Sequence, residues 1–191
     1  GEAAISGVSL VDMITNLIIE QFAALATGGA VVVSQYLGAK EQEKANASAG
    51  QLILLSAVLG TVVAAVCILF ARPMISACYG SIDADVLDAG VLYLKITALS
   101  YPFLALYNAG AALFRSMGNS KISMQISVLM NIINIVGNAV CIFGLKMGVD
   151  GVAWPSVVSR VVAAALLLRM CYKKEEGSLL NVPKTLRQDG G

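Results

Sequence analysis

Two long stretches of this chain carry no charge at all, one from Gln51 to Ala71 and the other from Ile122 to Leu145. An α-helix rises about 1.5 Å per residue, so roughly 20 apolar residues cross a hydrocarbon core about 30 Å thick. Stretches this long and this apolar read as membrane-spanning helices. The remaining charges are clustered rather than spread, whereas a soluble fold needs charge over its whole surface. Composition agrees: 13% of the residues are charged and 58% hydrophobic, against roughly a quarter charged in an ordinary soluble domain. The fold class is therefore an all-α integral membrane protein, a polytopic helix bundle.

Five spans are expected, at about residues 5–37, 52–71, 87–113, 124–145 and 152–171. The first exceeds one straight crossing, so it tilts or continues past the membrane. Pro102 sits near the middle of the third and removes one backbone hydrogen bond there, which kinks a helix. Residues 1–172 form the membrane unit, and the polar tail 173–191, with Pro183, is a cytoplasmic linker. Alternating spans place Lys40, Lys44, Arg115, Lys121, Arg169, Lys173, Lys174, Lys184 and Arg187 on one side, and only Arg72 and Lys146 on the other. The excess of basic residues marks the cytoplasmic side. The tail is then inside, and the N-terminus and the acidic loop with Asp83, Asp85 and Asp88 face outside. An odd number of spans with this orientation, and no initiator Met, leads us to expect one more span upstream.

Polar side chains at membrane depth are costly and usually face a bundle interior or a water-filled path. Asp12, Asn16 and Glu20 are spaced i, i+4, i+8, with Ser9 and Thr27 on the same helix face. That stripe reads as a cavity wall, or as an interfacial turn with one interhelical hydrogen bond. Asn131, Asn134 and Asn138 share one face of the fourth span. Each carries a carbonyl acceptor and an amide donor. They either ligate a cation or polar substrate, or join helices through bonds worth about 0.6 kcal/mol each. Asn108 and Ser156 could complete a polar cluster with them. Lys95 snorkels toward the outer interface, and Arg160 either pairs with an acid or serves helix packing.

The chain has no His, which removes the usual acid–base chemistry. Its four Cys lack any CxxC spacing, and two of them lie inside apolar runs as small core hydrophobes. No nucleophile elbow, zinc-protease motif or phosphate-binding loop is present. The chain is read as no enzyme, and the near-neutral net charge gives no reason to expect nucleic acid. What remains is a secondary transporter or a channel-like bundle.

Four segments then carry a resemblance. GEAAISGVSL followed by GGAVVVSQYLGAKEQEKA resembles the second helix and following loop of the MATE (multidrug and toxic compound extrusion) transporters. ALFRSMGNSKISM resembles the loop between that family's fourth and fifth helices, and NIINIVGNAVCIFGLKMGVDGVAWPSVVSR its fifth and sixth. The resemblance implies that the spans are helices two to six of an incomplete N-terminal lobe. Helix one and the C-terminal lobe would belong to the same protein, and the tail would be the inter-lobe linker. It implies a multi-pass protein of the inner (plasma) membrane that exports cationic or amphipathic drugs in exchange for Na⁺ or H⁺ by alternating access, with no cofactor beyond the coupling ion. The family's first-lobe site carries over to Asn108, Asn134 and Ser156. Asn138 stands where several members have an Asp, and Tyr93 matches a polar Tyr found there. Glu20, Asn16 and Asn131 complete the expected cavity set, with Na⁺ possible at Asn134 and Asn138. Asn138 cannot release a proton, which puts first-lobe proton coupling through that position in doubt. The alternatives are a flippase for a lipid-linked saccharide or peptidoglycan precursor, from the same superfamily, and a non-transporting membrane scaffold.

Overall fold

The computed structural model describes residues 2–80, 83–116, 120–145 and 150–172. Every regular element among them is helical: α1 Glu2–Gly38, α2 Gln42–Leu69, α3 Ala71–Tyr79, α4 Ala84–Ala98, α5 Tyr101–Ser116, α6 Ser120–Ala139 and α7 Asp150–Tyr172. The stretches Ile5–Gly38, Glu43–Leu69, Lys121–Gly144 and Gly151–Met170 are each long and apolar enough to cross a membrane. Together, α4 and α5 meet the same measure as one span bent by 51°, so the described residues hold four crossings, or five with this pair counted as one.

The breaks have local causes. At the end of α1, Lys40 takes a left-handed φ of 63°. Its N–H donates to Leu37 O and that of Glu41 to Tyr36 O, the paired bonds of a Schellman cap. Because α2 resumes at Gln42, the second helix begins ten residues before the expected 52. Pro73 has no N–H to give to Leu69, so α2 stops there, and the proline falls in the first turn of α3, where it is tolerated. A separate α3 is absent from the pattern of spans expected above.

The bend between α4 and α5 lies at Leu99 and Ser100, just before Pro102. Here Leu99 N–H donates to Ile96 O and Ser100 N–H to Thr97 O, which tightens the last turn of α4. The apex presses on α2: a Cβ on Gly60 would lie 2.7 Å from Pro102 Cα and 3.0 Å from Tyr101 O. Only a residue without a side chain fits there.

Helix α1 packs against α2, α4 and α5, and α7 against α4, α5 and α6. The main core contains Val11, Phe22, Cys67, Ile75, Leu94 and Tyr101, all nearly inaccessible. Lipid tails are as apolar as these side chains, so the bundle is held by close packing and interhelical hydrogen bonds. One flank of α6 stays exposed, with Ile132, Ile135 and Val136 pointing outward. Apolar side chains there suit lipid contact.

Candidate functional site

Two polar clusters interrupt this apolar bundle. The first lies in the seam between α6 and α7. These helices meet where a Cβ on Gly137 would come 2.8 Å from Pro155 Cβ, a ring atom that cannot swing aside. That approach brings Ser156 beside Asn134: Ser156 Oγ lies 3.4 Å from Asn134 Oδ1 and 3.2 Å from Val152 O, so one hydroxyl hydrogen is shared between two acceptors. One turn along α6, Asn138 Oδ1 is buried with no hydrogen-bond partner among the described residues. Leaving a buried acceptor unpaired costs about 1–3 kcal/mol. Directly after it, α6 widens into a π-turn, Val140–Gly144, with Leu145 N–H donating to Val140 O. Such turns occur often at functional sites.

Of the asparagines on this face, Asn131 is exposed and stands apart from the seam. Asn108 on α5 is half-buried, and its amide donates to Leu104 O of its own helix at 3.0 Å. Among the described residues, no group of three His, Cys, Asp or Glu could hold a metal. A cation in the seam would have to use neutral oxygens, and hard cations accept such ligands. Asn134 Oδ1 and the unpaired Asn138 Oδ1 are the candidates, with Ser156 between the helices.

The second cluster joins α1, α4, α5 and α7. Tyr93 on α4 donates its hydroxyl to Asp12 Oδ1 on α1 at 2.9 Å. On α7, Arg160 donates to Ser100 Oγ at 2.8 Å, and Ser100 Oγ donates to Thr97 O at 2.6 Å. Tyr101 and Thr15 share a buried hydroxyl–hydroxyl bond of 2.8 Å. The charges of Asp12 and Arg160 attract one another across the cluster without a direct ion pair. Ser156 and Arg160 sit one turn apart on α7, so both clusters rest on one helix.

On α1, Asp12, Asn16 and Glu20 all lie on exposed surface. Of the two acids on that stripe, Asp12 is the one bound to a second helix. Ser100, Tyr101 and Thr15 were not singled out in the sequence. The signal that could have found their cluster is a pair of opposite charges, Asp12 and Arg160, each set inside an apolar span. A cavity of about 530 Å³ also opens between α1 and α5, lined by Thr27, Val31, Ser34, Gln35, Arg115 and Ser116. Of the expected polar stripe, Thr27 alone lines it.

The family model MatE matches residues 1–140. An uncharacterized transporter, YisQ, of Bacillus subtilis strain 168 is 33% identical over 90% of this chain and 38% of its own length. The multidrug export protein MepA of Staphylococcus haemolyticus is 31% identical over 93% of this chain and 39% of its own. A solved multidrug resistance MATE family transporter of the MOP superfamily, in an inward-facing conformation, superposes with a TM-score of 0.87. It covers 97% of this chain and 42% of its own at 21% identity, which speaks to fold alone. The chain thus spans about two-fifths of the length of the relatives it matches.

Proposed function

Because this chain belongs to the MatE family, we propose that it forms the N-terminal lobe of a secondary transporter that exports cationic or amphipathic compounds in exchange for Na⁺ or H⁺. The observation that carries the reading is the α6–α7 seam. Asn134 Oδ1 meets the Ser156 hydroxyl from the next helix, and Asn138 Oδ1 on the same face is buried with no partner among the described residues. A desolvated acceptor of this kind gains most from a small hard cation, so the seam is the site we assign to Na⁺ or to the cationic head of a substrate. In this reading Asn108 on α5 and Tyr93 on α4 belong to the substrate path, and Asn16 and Glu20 extend a polar surface along α1. Alternating access needs a second repeat for this lobe to rock against. In this reading that repeat is a C-terminal lobe, joined through residues 173–191 on the cytoplasmic side.

The orientation rests on the basic bias of the Lys40–Lys44 and Arg115–Lys121 ends. The flippase alternative needs free cationic donors for a pyrophosphate. Arg160, the arginine at membrane depth, is already engaged by Ser100 and attracted by Asp12, which counts against it.

The test is efflux of a cationic dye such as ethidium from efflux-deficient bacteria that express the full-length protein. Accelerated efflux that needs a Na⁺ or proton gradient is expected. Unchanged efflux, with the protein present in the membrane, would overturn the export reading. An Asn134→Ala, Asn138→Ala double variant should lose most of the gradient-driven rate.

A further inference from the structure

We propose that the cavity between α1 and α5 binds the head of an anionic glycerophospholipid, with Arg115 holding its phosphate. The inference does not rest on the transport reading. It needs only that the bundle sits in a membrane.

The cavity follows from the residues at the helix contact. Helices α1 and α5 touch through Ala26, Ala30 and Ala112, all buried. Three methyl groups are too small to fill the groove beside them, and a space of about 530 Å³ is left. Sites for small amphiphilic molecules measure about 300–1,000 Å³. On α1 the wall carries Thr27, Val31 and Ser34, spaced i, i+4, i+7 on one face, and on α5 it carries Arg115 and Ser116.

Polarity changes along its length. Helix α5 ends at Ser116 and α1 at Gly38, so Ser34, Gln35, Arg115 and Ser116 mark the end of the cavity at the membrane surface. Thr27 comes eight residues before Gln35 on α1, about 12 Å farther in at 1.5 Å per residue. Between these levels the wall is Ala30, Val31 and Ala112. A phospholipid has the same order of groups: a charged head at the surface, then ester carbonyls, then acyl chain. The Thr27 hydroxyl can donate to an ester carbonyl at that depth.

Arg115 is a cation held in place. Its Nη1 donates to Ser123 Oγ of α6 at 3.3 Å, and Ser123 is buried. That bond uses one of five guanidinium N–H groups. No acid lines the cavity, and neither ion pair among the described residues involves Arg115. A guanidinium fork matches two phosphate oxygens at once, and the Gln35 amide on the rim brings two further donors. Ser34 and Ser116 give their hydroxyl hydrogens to Ser116 O at 3.4 Å and Leu113 O at 2.7 Å. Their oxygens are left to accept, which suits the hydroxyls of a phosphatidylglycerol head. A choline head has no such hydrogen and would bring a second cation to Arg115. Lys40 and Lys121 stand at the same end of the bundle. Basic pockets between transmembrane helices on the cytoplasmic side bind anionic head groups.

The experiment titrates the purified full-length protein in detergent with phosphatidylglycerol or phosphatidylcholine and counts bound lipids by native mass spectrometry. Phosphatidylglycerol should bind at the lower concentration. Arg115→Gln should weaken its tightest site about fivefold, and Arg115→Lys should weaken it less. Val31→Trp fills the cavity without changing charge and should remove the site. Arg169→Gln takes one charge from the last turn of α7, outside the cavity, and should leave the site unchanged. A large excess of inorganic phosphate should not displace the lipid. Equal weakening by Arg115→Gln and Arg169→Gln would assign the preference to general surface charge and overturn the proposal. Displacement by inorganic phosphate would show that the cavity reads the phosphate alone and that a lipid is the wrong occupant. Equal uptake of the two lipids by the parent sequence, as when another helix of the full-length protein fills the groove, overturns it as well. Should Arg115→Gln fail to fold, Val31→Trp and Arg115→Lys carry the same test. Cavity-dependent lipid binding in a protein that exports no dye would end the transport reading and leave the lipid site standing.

Discussion

Gly137 offers the sharpest perturbation of the α6–α7 seam. Replacing it with Ala adds one methyl carbon at a point 2.8 Å from Pro155 Cβ and 3.2 Å from its Cγ. Carbon atoms rest at about 3.5–4.0 Å, so the helices must part locally by about 1 Å. Proline cannot rotate its ring away, and the ring lies inside α7. The strain of such overpacking is about 1–3 kcal/mol. The same displacement lengthens the Ser156–Asn134 bond, already 3.4 Å, beyond hydrogen-bonding range. Two effects should follow together in Gly137→Ala: a lower midpoint of thermal unfolding in detergent, and weaker Na⁺-dependent stabilisation against a K⁺ control. Gly28→Ala is the matched control, because a Cβ there meets nothing within 4 Å. It should be neutral or stabilising by about 0.4–1 kcal/mol. Equal unfolding midpoints for Gly137→Ala, Gly28→Ala and the parent would refute the packing argument. A loss of stability with Na⁺ dependence intact would separate the packing of the seam from ion binding.

Two further outcomes are expected. A membrane-impermeant maleimide applied to intact cells should label Cys78, which is exposed on α3, and leave the buried Cys67 unmodified; protection of Cys78 until the membrane is opened would reverse the orientation read from the basic residues. Asn138→Asp should make cation-driven transport depend on pH by placing a titratable group beside Asn134, and an unchanged pH profile would remove that position from the ion path.

The spans were legible because hydrocarbon imposes a length and a polarity on each crossing, and Gln51–Ala71 and Ile122–Leu145 carry that signature without interruption. The bend near Pro102 was legible too, since a missing N–H is a property of the residue. The start of α2 was not. Gln42, Glu43 and Lys44 look like a loop by polarity, yet they extend a helix beyond the apolar stretch, and polarity does not distinguish a solvated helix from a solvated turn. The amphipathic α3 was hidden similarly behind Arg72 and Pro73. In the candidate site, spacing showed that Asn131, Asn134 and Asn138 share a face. It could not show which of them the α7 contact covers, because that depends on Gly137 meeting Pro155, 18 positions later in the sequence. The bonds Tyr93–Asp12 and Arg160–Ser100 join residues 81 and 60 positions apart. Such pairings are set by how α1 and α7 dock on α4 and α5, and no local pattern encodes them.

The length of α1 has a mechanical consequence. Its 37 residues measure about 55 Å at 1.5 Å per residue. A hydrocarbon core of about 30 Å leaves roughly 25 Å to be divided between tilt and projection. On the Lys40 end the surplus is not loose, since Val33 and Leu37 pack against Ala45, Ala49 and Leu52 of α2. The two helices leave the bilayer as one stiff hairpin, closed by the Schellman turn. A stiff arm magnifies rotation. If most of the surplus lies at that end, tilting the bundle by about 10° sweeps the tip through roughly 4 Å. A small change of angle among buried helices thus becomes a displacement at the membrane surface large enough to make or break contacts there.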